Sequence, residues 1–320
     1  MAMTLHRRAL LAAPLLVAAP GARAQAEVNR ILCSFPPGAA LDAISRMVAD
    51  VAARGPLGTT VVETRAGANG NIAAAQAARA RPDGRTLVSM IDVTLSLNPH
   101  LYGANLGFAP ADLEPVATIG LFPVVLLVHP SSGITDFAGF LAAARSRSLL
   151  YASAGSGSPG HLAMEALRPA FNLPAQGLEH VSFRGNAQAV TELVAGRVEA
   201  GFIAIGGGPQ FVREGRLRAL AVSGPVRAPL LPEVPTVAEL GNPGFDLRFA
   251  FVLYGPRGMP ADRTALWGQA AREAMAANRD RVAALGVDAE APGPADTAAF
   301  VSNAHARWGI VARETNMRVE

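Results

Sequence analysis

The sequence predicts an α/β protein of two domains, each a mainly parallel sheet flanked by helices, with the second domain inserted into the first. Three observations predict it. Short apolar strands alternate with helices and Gly-rich turns over most of the chain. Half of the residues (50%) are hydrophobic and only 17% are charged, with Ala, Gly and Val abundant, as expected where helices cover both faces of a parallel sheet. Two apolar segments, "LEPVATIGLFPVVLLVHPSS" and "DLRFAFVLYGP", resemble each other and mark two crossings between domains. They divide the chain into an export signal (1–24), a discontinuous first domain (25–123 plus 245–320) and a second domain (124–244).

The N-terminus sets the compartment. "LHRRALLAAPLLVAAPGARAQAE" has a basic start (His6, Arg7, Arg8), an apolar run from Ala9 to Ala19 and the cleavage signal Ala22-Arg-Ala24. The run is too short and too Pro-broken to span a bilayer, so it reads as a removable export signal, cleaved near Ala24, that delivers the chain to the periplasm. The adjacent arginines permit twin-arginine export, but their surroundings fit that motif loosely and favour ordinary secretion. Loss of the leader removes three arginines and no acid, so the formal charge falls from +3 to zero. The basic character therefore resides in the leader, and nucleic acid is not expected as a partner. Cys33 is the single cysteine, so no internal disulfide forms, and it reads as a small buried hydrophobe. The six histidines are scattered without metal-ligand spacing, and neither metal nor cofactor is expected.

From there the elements follow in order. "VNRILCSF" reads as a strand, "PPGAALD" as a loop, and "AISRMVADVAARG" as an amphipathic helix ending at Gly55. "GTTVVETR", "AGANGN" and "IAAAQAARARPDG" repeat the pattern, and "RTLVSMI" is a third strand before the polar stretch "DVTLSLNPHLYG". The first crossing follows, broken by Gly120 and Pro123. A second series runs through a helix near Phe137 to Arg147, the strand "SLLYAS", a Ser/Gly-rich loop and its helix. "GLEHVSF", "RGNAQ", "AVTELVAGR", "VEAGFIAI" and "GRLRALAVSG" complete it. After the second crossing, helices around Ala261–Asn278, Asp280–Leu285 and Pro294–Thr315 pack back on the first domain. A cleft between two such domains, at the carboxyl ends of their strands, is where a small ligand is expected.

The loop in "YASAGSGSPGHL" allows three chemistries. Gly155-x-Gly157-x-x-Gly160 fits the dinucleotide fingerprint, and Glu179 stands at about the ~20-residue spacing of a ribose-binding acid. Glu179, however, precedes its strand rather than following it. As a nucleophile elbow, Ser158 would work with His305, but Pro159 removes the N–H that supplies half of an oxyanion hole. As a binding loop, Ser158 caps a helix with Pro159 at its first position, and free N–H groups attract a carboxylate. "FPPGAALD", "AGANGN" and "RGNAQA" also read as strand-to-helix loops, which favours the third chemistry.

Taken together, "FPPGAALD", "GANGNIA", "NPHL", "YASAGSGSPGHL", "HVSFRG", "RLRALAV" and "PEVPTVAELG" resemble, in order, the motifs of the Bug-type solute receptors of tripartite tricarboxylate transporters. The resemblance covers nearly all of the mature chain. It implies a periplasmic clamshell (Venus flytrap) that binds a small carboxylate and delivers it to the membrane components of a transporter. It implies a monomer with no enzymatic activity. By position it assigns Phe35, Gly38 and Asp42 to one lip, with Thr94, Ser96 and Asn98 lining the same side. Ala154, Ser156, Ser158 and His161 fall on the other lip, beside Arg184, Gly185 and Asn186. Bland roles compete: Asp42 as a helix cap, His161 as the holder of its loop, Arg184 as a solvated cation, and Asn71 and Asn98 as turn residues. The chain departs from the family pattern at Ala39, Ala40, Leu41, Ser182 and Phe183, in "IAIGGGPQ", and at Ala250 where a Trp is usual. A periplasmic serine hydrolase using Ser158 and His305, or a sensor feeding a membrane signalling protein, are the alternatives.

Overall fold

A computed structural model of the protein describes residues 28–315 and 317; the export signal expected at 1–24 lies outside them. The chain opens with β1 (Asn29–Cys33), α1 (Ala40–Arg54), β2 (Thr60–Thr64), α2 (Asn71–Ala78) and β3 (Thr86–Ile91). In α1 the buried Leu41, Ile44, Val48 and Val51 recur at spacings of three and four, the stripe that seats a helix on a sheet. The stretch read only as polar forms two short helices, α3 (Val93–Ser96) and α4 (Asn98–Tyr102), and Asp92 through Asn98 are all buried.

β4 (Leu113–Val128) then runs 16 residues without interruption, where the sequence suggested breaks at Gly120 and Pro123. Gly120 is absorbed as a shift of register between Thr118 and Leu121. Its φ of +133° and the Val287 methyl, 2.4 Å from where a Cβ would stand, explain why a glycine is needed there.

The second series comprises α5 (Phe137–Ser146), β5 (Leu149–Ser153), α6 (Pro159–Ala170), β6 (Leu178–Ser182), α7 (Asn186–Val194), β7 (Ala200–Ala204), α8 (Pro209–Arg213) and β8 (Arg218–Val222). β9 (Arg248–Pro256) returns the chain, followed by α9 (Ala261–Ala277), α10 (Arg279–Ala284) and α11 (Pro294–Glu314).

The strands join in the order β2-β1-β3-β9-β4-β7-β5-β6, with β8 also on β4. β4 is shared by two sheets. Leu113 to Pro123 pair antiparallel with β9, while Val124 to Val128 pair antiparallel with β7, and β8 takes the flank that β9 leaves. In the first sheet β1, β2, β3 and β4 run one way and β9 opposes them; in the second β5, β6, β7 and β8 run one way and β4 opposes them. Each sheet is thus mainly parallel, and the fold is a two-domain clamshell of the periplasmic binding-protein type. α9 packs on α1 and β4, and α11 on α3 and β4. Trp267 and Trp308 are fully buried; Trp308 stacks on Phe249 with 5.9 Å between centroids.

Because the strands of each sheet run together, the loops that follow β1, β2 and β3 emerge at one rim, and those that follow β5, β6 and β7 at another. A cavity of about 330 Å³ lined by Glu114, Gly255, Met259, Thr264 and Pro294 lies by the start of β4 and the end of β9, the opposite end of the first sheet. It is largely apolar.

Candidate functional site

The first loop, after β1, is held by one carboxylate. Asp42 is buried on α1, accepting from the Gly38 N–H at 3.1 Å and from Arg46 Nε and Nη2 at 3.1 and 2.9 Å. Burial acts to raise the Asp42 carboxyl, but the Arg46 and Gly38 hydrogen bonds and the Arg46 charge outweigh it and hold it below the usual carboxylate range. Asp42 is therefore neither a cap nor a free anion; it locks the loop on which Gly38 stands exposed at φ +85°. Phe35 is half-buried against the core.

The second and third loops form one polar unit. Gly67, Ala68, Asn69 and Gly70 all have positive φ (126°, 46°, 51° and 90°), a run that costs energy at the two non-glycine positions. It persists because Asn98, fully buried, donates to Asn69 O at 3.1 Å and to Asn71 Oδ1 at 2.6 Å. Asn69 Nδ2 donates back to Asn98 Oδ1 at 2.9 Å, and Thr94 Oγ1 donates to Asn69 O at 3.2 Å. Thr94 and Asn98 thus shape the lip from beneath. Ser96 is fully buried, its carbonyl paired with His305 Nδ1 at 3.0 Å and its Oγ without a partner. Asp92 anchors this segment to the crossing strand, accepting from the Ala250 N–H at 2.9 Å. Burial raises its carboxyl to about 7 despite that hydrogen bond and the Arg307 charge.

On the opposing rim the opening loop turns on Gly155 (φ +130°) and Gly157 (φ +78°). Ala154 and Ser156 are half-buried. Ser158 occupies the N-cap position of α6 as expected, but its hydroxyl makes no cap bond; it is 4% exposed and has no hydrogen-bond partner. His161 is buried, and its Nδ1 accepts from the Gly157 N–H at 3.0 Å. Gly160 explains the likeness to a dinucleotide fingerprint. A methyl there would stand 2.1 Å from the Phe202 carbonyl oxygen, so the third glycine serves close helix–strand packing. Glu179 lies on β6, with Ser148 Oγ at 3.4 Å.

Ser158 and His305 are not paired. His305 stacks on His100 at 4.3 Å, and its own carbonyl meets His100 Nε2 at 3.2 Å. The two histidines pin α11 to the third-loop helices.

The loop after β6 carries Arg184, exposed, whose N–H donates to Gln188 Oε1 at 3.0 Å and whose guanidinium has no ion pair among the described residues. Gly185 follows at φ +107°, with nothing within 4 Å of where a Cβ would stand. Asn186 opens α7, and its Oδ1 accepts from the Ala204 N–H at 3.4 Å.

The rims meet. A methyl on Gly157 would stand 2.7 Å from Leu101 Cδ1, 3.0 Å from Leu97 Cδ2 and 3.4 Å from Asn69 Nδ2, so the opening loop of the second sheet lies against the third and second loops of the first. No side-chain cap occupies the N-termini of α1, α2, α6 or α7. Arg184 and His161 are the only basic residues within the loops 35–42, 66–72, 92–98, 154–161 and 183–188. The arrangement offers backbone donors and one guanidinium, chemistry that suits a small anion. Sequence reasoning missed Arg46, Asn69, Asp92, Ser153 and His180, whose roles depend on partners distant in the chain or a turn away on a helix.

Two sheets that share one strand, β4, and face each other through such loops define a solute-binding clamshell. Residues 44–317 match the model of the tripartite tricarboxylate transporter family receptor, and the chain belongs to that family, one of solute receptors rather than enzymes. It is 37% identical over 230 residues to the UPF0065 protein in the tcbD-tcbE intergenic region of Pseudomonas sp. (strain P51), covering 71% of this chain and 67% of that one. Protein BugT of Bordetella pertussis is 29% identical over 301 residues, 91% of this chain and 90% of its own. Among solved structures, R. palustris Rpa4515 with adipate superposes with a TM-score of 0.81 at 26% identity, over 92% of this chain and 100% of that one. MatC from Rhodopseudomonas palustris with bound malate gives 0.75 at 26%, over 90% and 99%.

Proposed function

We propose that this chain is a periplasmic receptor that closes its two domains over a small carboxylate and hands it to the membrane components of a tripartite tricarboxylate-type transporter. The domains are residues 25–123 with 245–320, and 124–244, hinged where the partners of β4 change between Pro123 and Val124. The observation that carries the reading is the set of uncapped helix N-termini brought to opposed rims, with a buried, unbonded Ser158 hydroxyl at the head of α6. Such groups bind a carboxylate without a matching lysine or metal. Relatives with adipate and malate support the substrate class. Phe35, Gly38, Ala154, Ser156, Ser158, Gly185 and Asn186 contact the ligand; Asp42, Thr94, Ser96, Asn98 and His161 shape the loops that do. The receptor works as a monomer.

Arg184 sets the preference between one carboxylate and two. Being exposed, it contributes about 1 kcal/mol, or roughly fivefold in affinity. The test is calorimetry of the mature protein with adipate and with hexanoate, which has the same carbon chain and one charge fewer. Adipate should bind more tightly, and Arg184→Gln should erase most of that advantage while leaving hexanoate unchanged. No binding of any mono-, di- or tricarboxylate would sink the receptor reading; an equal loss for both ligands would remove only the role of Arg184.

A further inference from the structure

Beneath the opening loop lies a column of aromatic rings. The imidazoles of His161 on α6 and His180 on β6 stack with 3.9 Å between centroids and 13° between planes. The Tyr151 ring of β5 lies 5.1 Å from that of His180. Each imidazole ends on the loop. His161 Nδ1 accepts from the Gly157 N–H at 3.0 Å. His180 Nε2 meets Ser153 Oγ at 2.7 Å, and that oxygen lies 3.0 Å from the Gly155 carbonyl and accepts from the Gly155 N–H at 3.2 Å.

The protons can be placed. Because Gly157 donates, His161 Nδ1 is bare and its ring proton sits on Nε2. Ser153 has one hydroxyl proton; with that proton on the Gly155 carbonyl, His180 Nε2 is the donor. Both rings are then neutral, as their burial requires.

We propose that His161 and His180 are positioning residues, a neutral stacked pair that clamps Gly155 and Gly157 and so fixes the N–H groups this loop presents to the ligand. That these N–H groups serve a ligand rests on the proposed receptor function; the clamp itself does not. Two glycines with positive φ have no side chains of their own to hold the turn, so its shape must be imposed from below. A stack of flat rings from a helix and a strand does so while excluding water.

The charged neighbours are already committed. Tyr151 OH donates to Glu165 Oε1 at 2.7 Å, and Glu165 Oε2 is paired with Arg168 Nε at 2.8 Å. Burial, then the Arg168 charge, holds His161 down to about 4; burial, then His161, holds His180 to about 3 against the opposing pull of Glu165. A proton on His161 Nδ1 would set a donor against the Gly157 donor, so the clamp is intact at neutral pH and fails in acid. Since both folded values lie below the ordinary histidine value, the stability from neutrality is complete above about pH 6.5 and is lost progressively as pH falls towards 3.

The test needs no ligand: amide-exchange protection of Gly155 and Gly157 by NMR, corrected for intrinsic exchange, on the mature protein. In the wild type, protection should hold from pH 8 to about 6.5, decline progressively below that, and be at least tenfold lower by pH 3.5. His161→Phe keeps a ring on His180 but removes the acceptor, so Gly157 should lose at least tenfold protection at pH 7. His161→Asn, whose side-chain oxygen can take the place of Nδ1, should restore most of it. Unchanged protection in the Phe variant, or equal loss in both, would overturn the clamp. Should either variant fail to fold, the imidazole ¹⁵N shifts of the wild type decide: a bare His161 Nδ1 at pH 7 supports the proposal, and a protonated one ends it.

Discussion

The two lips of the cleft solve one problem with different chemistry. On the first-domain side, two non-glycine residues, Ala68 and Asn69, sit in the left-handed region, held there by the side chains of Asn98 and Thr94. On the second-domain side the left-handed positions are glycines, Gly155 and Gly157, and the holding groups are imidazoles. The first lip stores strain and needs polar bonds to keep it; the second is unstrained but has no stiffness of its own. The first should therefore spring away when its network is cut, while the second should loosen.

The largest expected effect lies beneath the second lip, where α6 reaches β7 backbone to backbone. The first helix of the other domain makes no such approach: its second residue is the buried Leu41, a side chain in the core. Gly160→Ala puts a methyl 2.1 Å from the Phe202 carbonyl, and no rotamer change relieves a clash with backbone. We expect a loss of about 3 kcal/mol or more, read as a lower urea midpoint at unchanged slope. A loss under about 1 kcal/mol would mean that α6 slides freely on the sheet, and the second lip would then be no better anchored than a surface loop.

Next in size is Asn98→Ala. It removes two donors and one acceptor from a fully buried site and leaves Asn69 O and Asn71 Oδ1 short of partners. The expected cost is about 2–3 kcal/mol in urea unfolding, with a further loss of affinity because Asn69 also lies against Gly157. A variant that keeps full stability would show that the run of positive φ is not strained, and the contrast between the lips would fail.

Much of this architecture was legible in the sequence, for a physical reason. Strand periodicity, Pro/Gly punctuation and the α1 stripe are local, so β1 to β3 and β5 to β7 fall inside "VNRILCSF", "GTTVVETR", "RTLVSMI", "SLLYAS", "GLEHVSF" and "VEAGFIAI", each a little shorter than its segment. The continuity of β4 was not local. Gly120 looks like a break until Val287, far along the chain, occupies the space its missing side chain leaves. In the site, glycine loops could be read but their supports could not. The pairing of Asp42 with Arg46 is written in "DAISR", whose first and last residues stand four positions apart on one helix face, yet only the fold shows that it consumes the carboxylate. His180 carried no signal, because its partners, Ser153 and His161, come from another strand and a helix.

Ser158 gives the smallest expected change in stability and the sharpest separation of roles. At the head of a helix a serine ordinarily bonds an N–H of the first turn, and its removal costs about 1 kcal/mol. Asp136 does this for α5, its Oδ1 accepting from the Gly139 N–H at 2.7 Å. Ser158 does not: its hydroxyl is buried with no partner, although the backbone around it is set for capping. A buried hydroxyl left unbonded costs free energy, so Ser158→Ala should leave the unfolding midpoint of the free protein unchanged within about 0.5 kcal/mol or raise it slightly. Asp136→Ala should lower it by about 1 kcal/mol. The same Ser158→Ala change should weaken carboxylate binding by roughly fivefold, the worth of one hydrogen bond made only when the ligand is present. If Ser158→Ala destabilises the free protein as much as Asp136→Ala does, the hydroxyl is a cap after all, and the proposed role of Ser158 as a ligand donor on the second lip falls.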